Sequence, residues 1–170
     1  MDTLIIAIDP ATQKSGFCIA LAQRNNFYII ESGIIEACKD KNYLVRLCDI
    51  EKKVYSKIEN LKKTKYFSIL ERHVVIEKAY VEKNAHVGLV LGAARGVFLG
   101  SFFRYNFKPF EYSPMEIKTI SNGGRSKKDV AEAIEILFKK KMNFKSNDES
   151  DAIAIAIYHC LRQKIIRFKG

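Results

Sequence analysis

The sequence predicts an α/β domain built on a mixed five-stranded sheet flanked by helices. Three observations predict it. Three β-rich runs follow one another near the N-terminus with only short turns between them, two more apolar strand-like runs come later, and helical periodicities lie between and after those two. At 170 residues and 48% hydrophobic content, the chain is long enough for one compact domain with a real core and too short for two ordinary ones.

Leu4 to Ile8 is an apolar run ending in Asp9, as expected of a central strand covered on both faces, with a carboxylate at its exit. Pro10 to Gly16 is turn-rich, and Phe17 to Ala22 is the second strand. Phe27 to Ile35 is the third, so that strands one to three make an antiparallel meander. Leu44, Leu47, Val54, Ile58 and Leu61 recur at helical spacing, which predicts an amphipathic helix over residues 42–62. His73 to Ile76 is a fourth strand and again ends in a carboxylate, Glu77.

From Asn84 to about Tyr105 the pattern is helical and apolar nearly all round, which predicts burial on every side. With only about 17 apolar-dominated residues and Arg95 in the middle, it is not expected to span a membrane. Gly88, Gly92, Gly96 and Gly100 form one stripe, and their cost within a helix predicts close approach of another backbone, either the sheet or a second copy of the chain. Residues 107–112 serve as the fifth strand, and Pro114 opens a short helix to Ile120. A basic loop from Ser121 to Lys128 precedes a helix from Asp129 to Lys141. The last helix runs from about Asn147 to Gln163, giving a single domain over 1–163 and a basic tail over 164–170.

Asp148 and Asp151 are three apart in the first turn of that last helix and share a face. Ser146 and Glu149 fit a capping box, in which Glu149 reaches back to the Ser146 amide. Two strand-end carboxylates and two on one helix face would repel one another unless hard cations occupy the cluster. With no His or Cys pattern nearby, oxygen ligands favour Mg2+ or Mn2+ over zinc. The net charge of +10 and pI near 9.4 favour a polyanionic partner. Together these features point to in-line, two-metal hydrolysis of a phosphodiester. Four cysteines without paired spacing, and no secretory leader, fit reduced thiols in a cytoplasmic protein. His73, His86 and His159 are read as structural. Lys118, Arg125, Lys127 and Lys128 form a cationic stretch suited to phosphate contacts.

Four segments, taken together, resemble the RuvC family of Holliday-junction resolvases: Ile8-Asp9-Pro10, Val75-Ile76-Glu77 with Lys83-Asn84-Ala85, Leu91 to Gly96, and Asp148 to Ile157. The resemblance implies an RNase H-like fold, a homodimer, and Mg2+-dependent symmetric nicking of four-way DNA junctions that leaves 5′-phosphates. Two ions per active site are implied, with Mn2+ able to substitute. By position, Asp9, Glu77, Asp148 and Asp151 match the catalytic carboxylates and metal ligands. Tyr80 matches an aromatic that stacks at the junction centre, Lys118 and Lys127 match DNA-contacting lysines, and Lys83 is placed with them. A branch-migration motor is a further implied partner. Ala11 stands where the family usually has glycine, and Asn122 to Arg125 follows its glycine-rich loop only loosely, marks of a diverged member. The alternatives are a nuclease for forks and flaps as well as junctions, and a branched-DNA binding protein with a decayed site. An actin-like kinase shares the acidic first strand, but this chain is too short for two such lobes.

Overall fold

The computed structural model describes residues 2–69, 71–78, 84–121, 127–138 and 141–166. The elements in chain order are β1 (Thr3–Asp9), β2 (Lys14–Gln23), β3 (Asn26–Glu36), α1 (Tyr43–Lys62), α2 (Lys65–Ile69), β4 (Glu71–Glu77), α3 (Ala85–Phe103) and β5 (Lys108–Tyr112). They continue with α4 (Pro114–Ile117), a 3-10 turn (Lys118–Ser121), α5 (Lys127–Phe138) and α6 (Asn147–Arg162). The five strands make one sheet in the order β3-β2-β1-β4-β5. β1 to β3 are the expected antiparallel meander. The β2–β3 hairpin closes over Arg24 and Asn25, at φ 50 and 66, the left-handed pair that a two-residue turn between twisted strands requires. β4 and β5 then add in parallel, each reached through helical connections, because a parallel return cannot be made by a tight turn.

Side-chain alternation divides the core in two. On one face of the sheet, Leu4, Ile6 and Ile8 of β1, Val74 and Ile76 of β4, and Phe17 and Ile19 of β2 pack against α1 and α3. On the other, Ile5 and Ala7, Val75, and Cys18, Ala20 and Ala22 pack against α5 and α6. That second face is lined with small residues, and Ala152, Ala154 and Ala156 of α6 are equally small. Small side chains on both partners let α6 lie close to the sheet.

The most deeply buried helix among the described residues is α6, whose residues 152–157 are all fully inaccessible while Asn147 and Arg162 at its ends are exposed. The sequence reading placed such a helix at α3, and there the structure differs. Ala94, Phe98 and Phe102 of α3 are buried against the sheet, while Val87, Leu89 and Phe103 are 58%, 74% and 49% exposed. A methyl group added at Gly92, Gly96 or Gly100 would meet nothing within 4 Å among the described residues, so the sheet is not what approaches that stripe. By length and composition α3 could cross a bilayer. Its Arg95, however, is committed to the sheet, donating to the Glu77 carbonyl and pairing with Glu111. The tail also differs in part: Ile166 is buried in the α6 side of the core, so the chain stays packed past residue 163.

Two histidines cross-link the far end of α6 to the sheet. His73 Nδ1 on β4 lies 2.8 Å from His159 Nε2, whose Nδ1 is 2.9 Å from the Tyr112 hydroxyl on β5. Gln163 donates to that hydroxyl at 3.1 Å, and His73 Nε2 is 3.0 Å from Glu71. Burial, reinforced by His73 and Lys108, pushes His159 down to about 3, and burial also lowers His73. An unfolded His159 would protonate near 6.5, so between the two values the unfolded chain binds a proton that the folded chain refuses. Stability is therefore expected to be complete above that range and to fall by about 1.4 kcal/mol per pH unit on account of His159 as the pH drops through it, with His73 acting in the same direction. Urea midpoints at several pH values check this, and His159→Gln, which does not titrate, should flatten the slope.

Candidate metal centre

Strand parity aims the carboxylates. Asp9 ends β1 on the same side as Ile5 and Ala7, and Glu77 ends β4 on the same side as Val75, so both point towards the α6 face. Their strands are neighbours, with Ile8 beside Ile76 one position earlier. The loop between β1 and β2 is stapled by Ser15, which accepts from the Ala11 amide at 2.9 Å and donates to the Ala11 carbonyl at 2.8 Å. Arg46 of α1 clamps the same loop by donating to the Thr12 carbonyl at 3.1 Å.

α6 supplies the other two acids. Ser146 is its N-cap, with its hydroxyl accepting from the Glu149 amide at 3.2 Å. The capping box is only half formed, in contrast to the sequence expectation. Glu149 turns to the Lys145 amide at 2.6 Å and to the Ser32 hydroxyl on β3 at 2.7 Å, because burial against the sheet draws its side chain inwards. A complete box forms instead in α4, between Ser113 and Glu116. Beneath the start of α6 lies Gly16, paired with Asp9 across the β1–β2 ladder. A Cβ on Gly16 would stand 1.8 Å from the Asp148 carbonyl oxygen, so only glycine lets the helix settle there.

Asp9, Asp148 and Asp151, each half-buried, thereby offer carboxylate oxygens that all lie within 4.8 Å of one another. Residues 139 positions apart in the chain meet at one point. Three hard oxygen donors at that separation fit a hard divalent cation and leave a thiol- or imidazole-seeking metal without its preferred ligands. Glu77 lies outside this group, although it ends the adjacent strand. Its main chain is fixed by Arg95, and the Lys78 amide that follows donates to the Tyr112 carbonyl at 2.8 Å. Arg95 is 12% exposed, and its guanidinium is 2.6 Å from Glu111. The sequence reading has Arg95 as a charge within an apolar helix and as part of the Leu91–Gly96 segment, without assigning it a partner. A lone cation on such a helix must find an anion or carbonyl, and that rule was the available signal.

Of the residues expected to contact DNA, Lys118 is exposed at the start of the 3-10 turn, and Lys128 is exposed in the first turn of α5, 3.6 Å from Glu132. Lys127 opens α5, and its side chain lies outside the described part of the structure. Tyr80, Lys83 and Arg125 lie outside the described residues.

A family model described as crossover junction endodeoxyribonuclease RuvC matches residues 5–159. The chain is 31% identical to the protein of that name from Pseudothermotoga lettingae over 166 residues, covering 96% of this chain and 98% of the other. It is 30% identical to that from Brachyspira hyodysenteriae, over 95% and 96% of the two chains. Among solved structures, Thermus thermophilus RuvC in complex with a Holliday junction substrate superposes with a TM-score of 0.78 at 17% identity, over 96% of each chain. The yeast mitochondrial Holliday junction resolvase Ydc2 superposes at 0.65 and 12% identity, over 95% of this chain and 79% of that one.

Proposed function

Because the chain belongs to the RuvC family of crossover junction endodeoxyribonucleases, we propose that it resolves Holliday junctions as a Mg2+-dependent homodimer, by paired nicks that leave 5′-phosphates. One observation carries the reading, the meeting of Asp9, Asp148 and Asp151 at a point where three carboxylate oxygens could hold a cation. These three, with Glu77 from the neighbouring strand, would hold two ions. When bound, Mg2+ supplies Lewis acidity at the scissile phosphate. The protein's part is positional: the two strand ends and the first turn of α6 hold the ligands on rigid elements. Lys83, Lys118, Arg125, Lys127 and Lys128 neutralise phosphates, and Tyr80 stacks on a base at the branch point. The positive balance of the chain, 29 basic against 19 acidic residues, suits a substrate in which four duplex arms converge. This reading places the protein with the DNA of the cytoplasm, where a branch-migration motor would deliver junctions to it.

The dimer reading rests on α3. Leu89, Gly92, Gly96, Gly100 and Phe103 share one face, opposite Ala94 and Phe98, and Leu89 and Phe103 on it are exposed. Three glycines there allow a second α3 to approach closely, and a symmetric contact of this kind sets two active sites on one junction.

Nick mapping on a mobile four-way junction, beside a fork and a linear duplex, tests the proposal with Mg2+ and with Mn2+. Paired cuts at symmetric positions are expected on the junction alone. Equal cutting of forks would broaden the substrate, and absence of nicks even in Mn2+ would leave only a binding protein. Leu89→Glu is expected to give monomers by light scattering and to turn paired cuts into isolated nicks.

A further inference from the structure

Glu149 is the one buried carboxylate among the described residues, 6% exposed, and it sits between the two acids of α6. An acid that served only the helix dipole would gain as much by staying in water. Burying it requires that its lone pairs be met by donors. One oxygen accepts from the Ser32 hydroxyl at 2.7 Å and the other from the Lys145 amide at 2.6 Å. Ser32 pairs with Cys18 in the β2–β3 ladder, 117 positions from Glu149 in the chain.

From this geometry we infer that Glu149 and Ser32 form a positioning pair, which sets the rotation of the first turn of α6 about the helix axis and so the approach of Asp148 and Asp151 to Asp9. The inference rests on the reading of those three aspartates as metal ligands. Two contacts seat the first turn of α6 on the sheet. Gly16 on β2 receives the Asp148 carbonyl, which fixes how close the helix comes. The buried middle of α6 and the His159 contacts hold the body of the helix, and a flat glycine under its first turn leaves that turn room to shift, which the Glu149–Ser32 bond, off that axis on β3, restrains. At a side-chain radius of about 5–6 Å, a roll of about 20° moves a carboxylate oxygen by about 2 Å. A metal site tolerates only about 0.5 Å. The two ligands flank Glu149 in sequence, so any roll it permits moves both of them together.

The test is Mn2+ binding to the protein alone, read from the electron paramagnetic resonance signal of free Mn2+, for the parent, Asp9→Asn, Ser32→Ala, Ser32→Thr and Glu149→Gln. Ser32→Ala removes one hydroxyl from a strand and leaves the fold in place, which urea midpoints verify. It is expected to weaken Mn2+ binding about tenfold, while Ser32→Thr, which keeps the hydroxyl, stays within about twofold of the parent. Cleavage by Ser32→Ala should return to the parent rate at saturating Mn2+, and metal-free junction binding should not change. The inference is overturned if folded Ser32→Ala and Glu149→Gln bind Mn2+ like the parent while Asp9→Asn does not. If Asp9→Asn also binds like the parent, the metal-site reading fails, and this inference fails with it.

Discussion

Asp9→Asn is expected to abolish strand cleavage, by about a thousandfold or more, and to leave junction affinity within about threefold of the parent. The substitution keeps the volume and one carbonyl oxygen at the exit of β1 and removes one of the three carboxylate charges that meet there. An amide is a poor ligand for a hard divalent ion, so several kcal/mol of transition-state stabilisation go with it, and each 1.4 kcal/mol is about tenfold in rate. In the proposed function DNA affinity rests instead on the basic side chains, which the change does not touch. Single-turnover cleavage in Mn2+, alongside gel-shift titration without cleavage-competent metal, separates the two effects. A variant that still cuts at the parent rate would remove Asp9 from the chemistry. A variant that no longer binds junctions would make it a DNA-contacting or folding residue.

Gly16→Val is expected to be as damaging by a different route. A side chain at residue 16 would begin 1.8 Å from the Asp148 carbonyl oxygen, 2.5 Å from its carbon and 3.3 Å from the Ala152 methyl. The first two of these are backbone atoms and cannot rotate aside. Either β2 or the start of α6 must move, at an expected cost of about 3 kcal/mol or more, the upper end for overpacked cores. Movement of α6 would also carry Asp148 and Asp151 away from Asp9, so loss of Mn2+ binding should accompany the drop in urea midpoint. A protein with normal stability and normal metal binding would show that the helix does not need to sit where it does. Gly16→Ala should reproduce the effect in milder form, since it is the Cβ itself that collides.

The sheet was legible because its strands obey local rules. Leu4 to Asp9 and His73 to Glu77 are apolar runs with a polar stop, and the meander of β1 to β3 needs only short turns. The three aspartates that meet were legible for the same reason: each stands at or near the end of an element, where a charged residue borders an apolar run. α3 was misjudged because composition reports what a helix can bury and not whether this chain has anything to bury it against. α6 was harder to recognise as the central helix, since Ala-Ile-Ala-Ile-Ala-Ile alternates like a strand, and only the Ser146 cap before it marks a helix start. α2, five residues long and half polar, carries too little periodicity to be read. Arg95, Gly16 and Ser32 act through partners 18, 132 and 117 positions away, and no window along the sequence contains both members. Glu77 was grouped with the three aspartates from its place at a strand end. The fold puts it on the next strand, outside their immediate cluster.

The position of β1 has a consequence for biosynthesis. It is third in the sheet yet first in the chain, and its parallel neighbour β4 begins only at Glu71. While the ribosome is still making α1 and α2, the hairpins on one side of Leu4–Ile8 can form, and the other side is a bare row of amides and carbonyls flanked by leucine and isoleucine. The nascent polypeptide therefore passes through a stage with an adhesive margin that vanishes once β4 docks, and slow translation through residues 43–70 would prolong it.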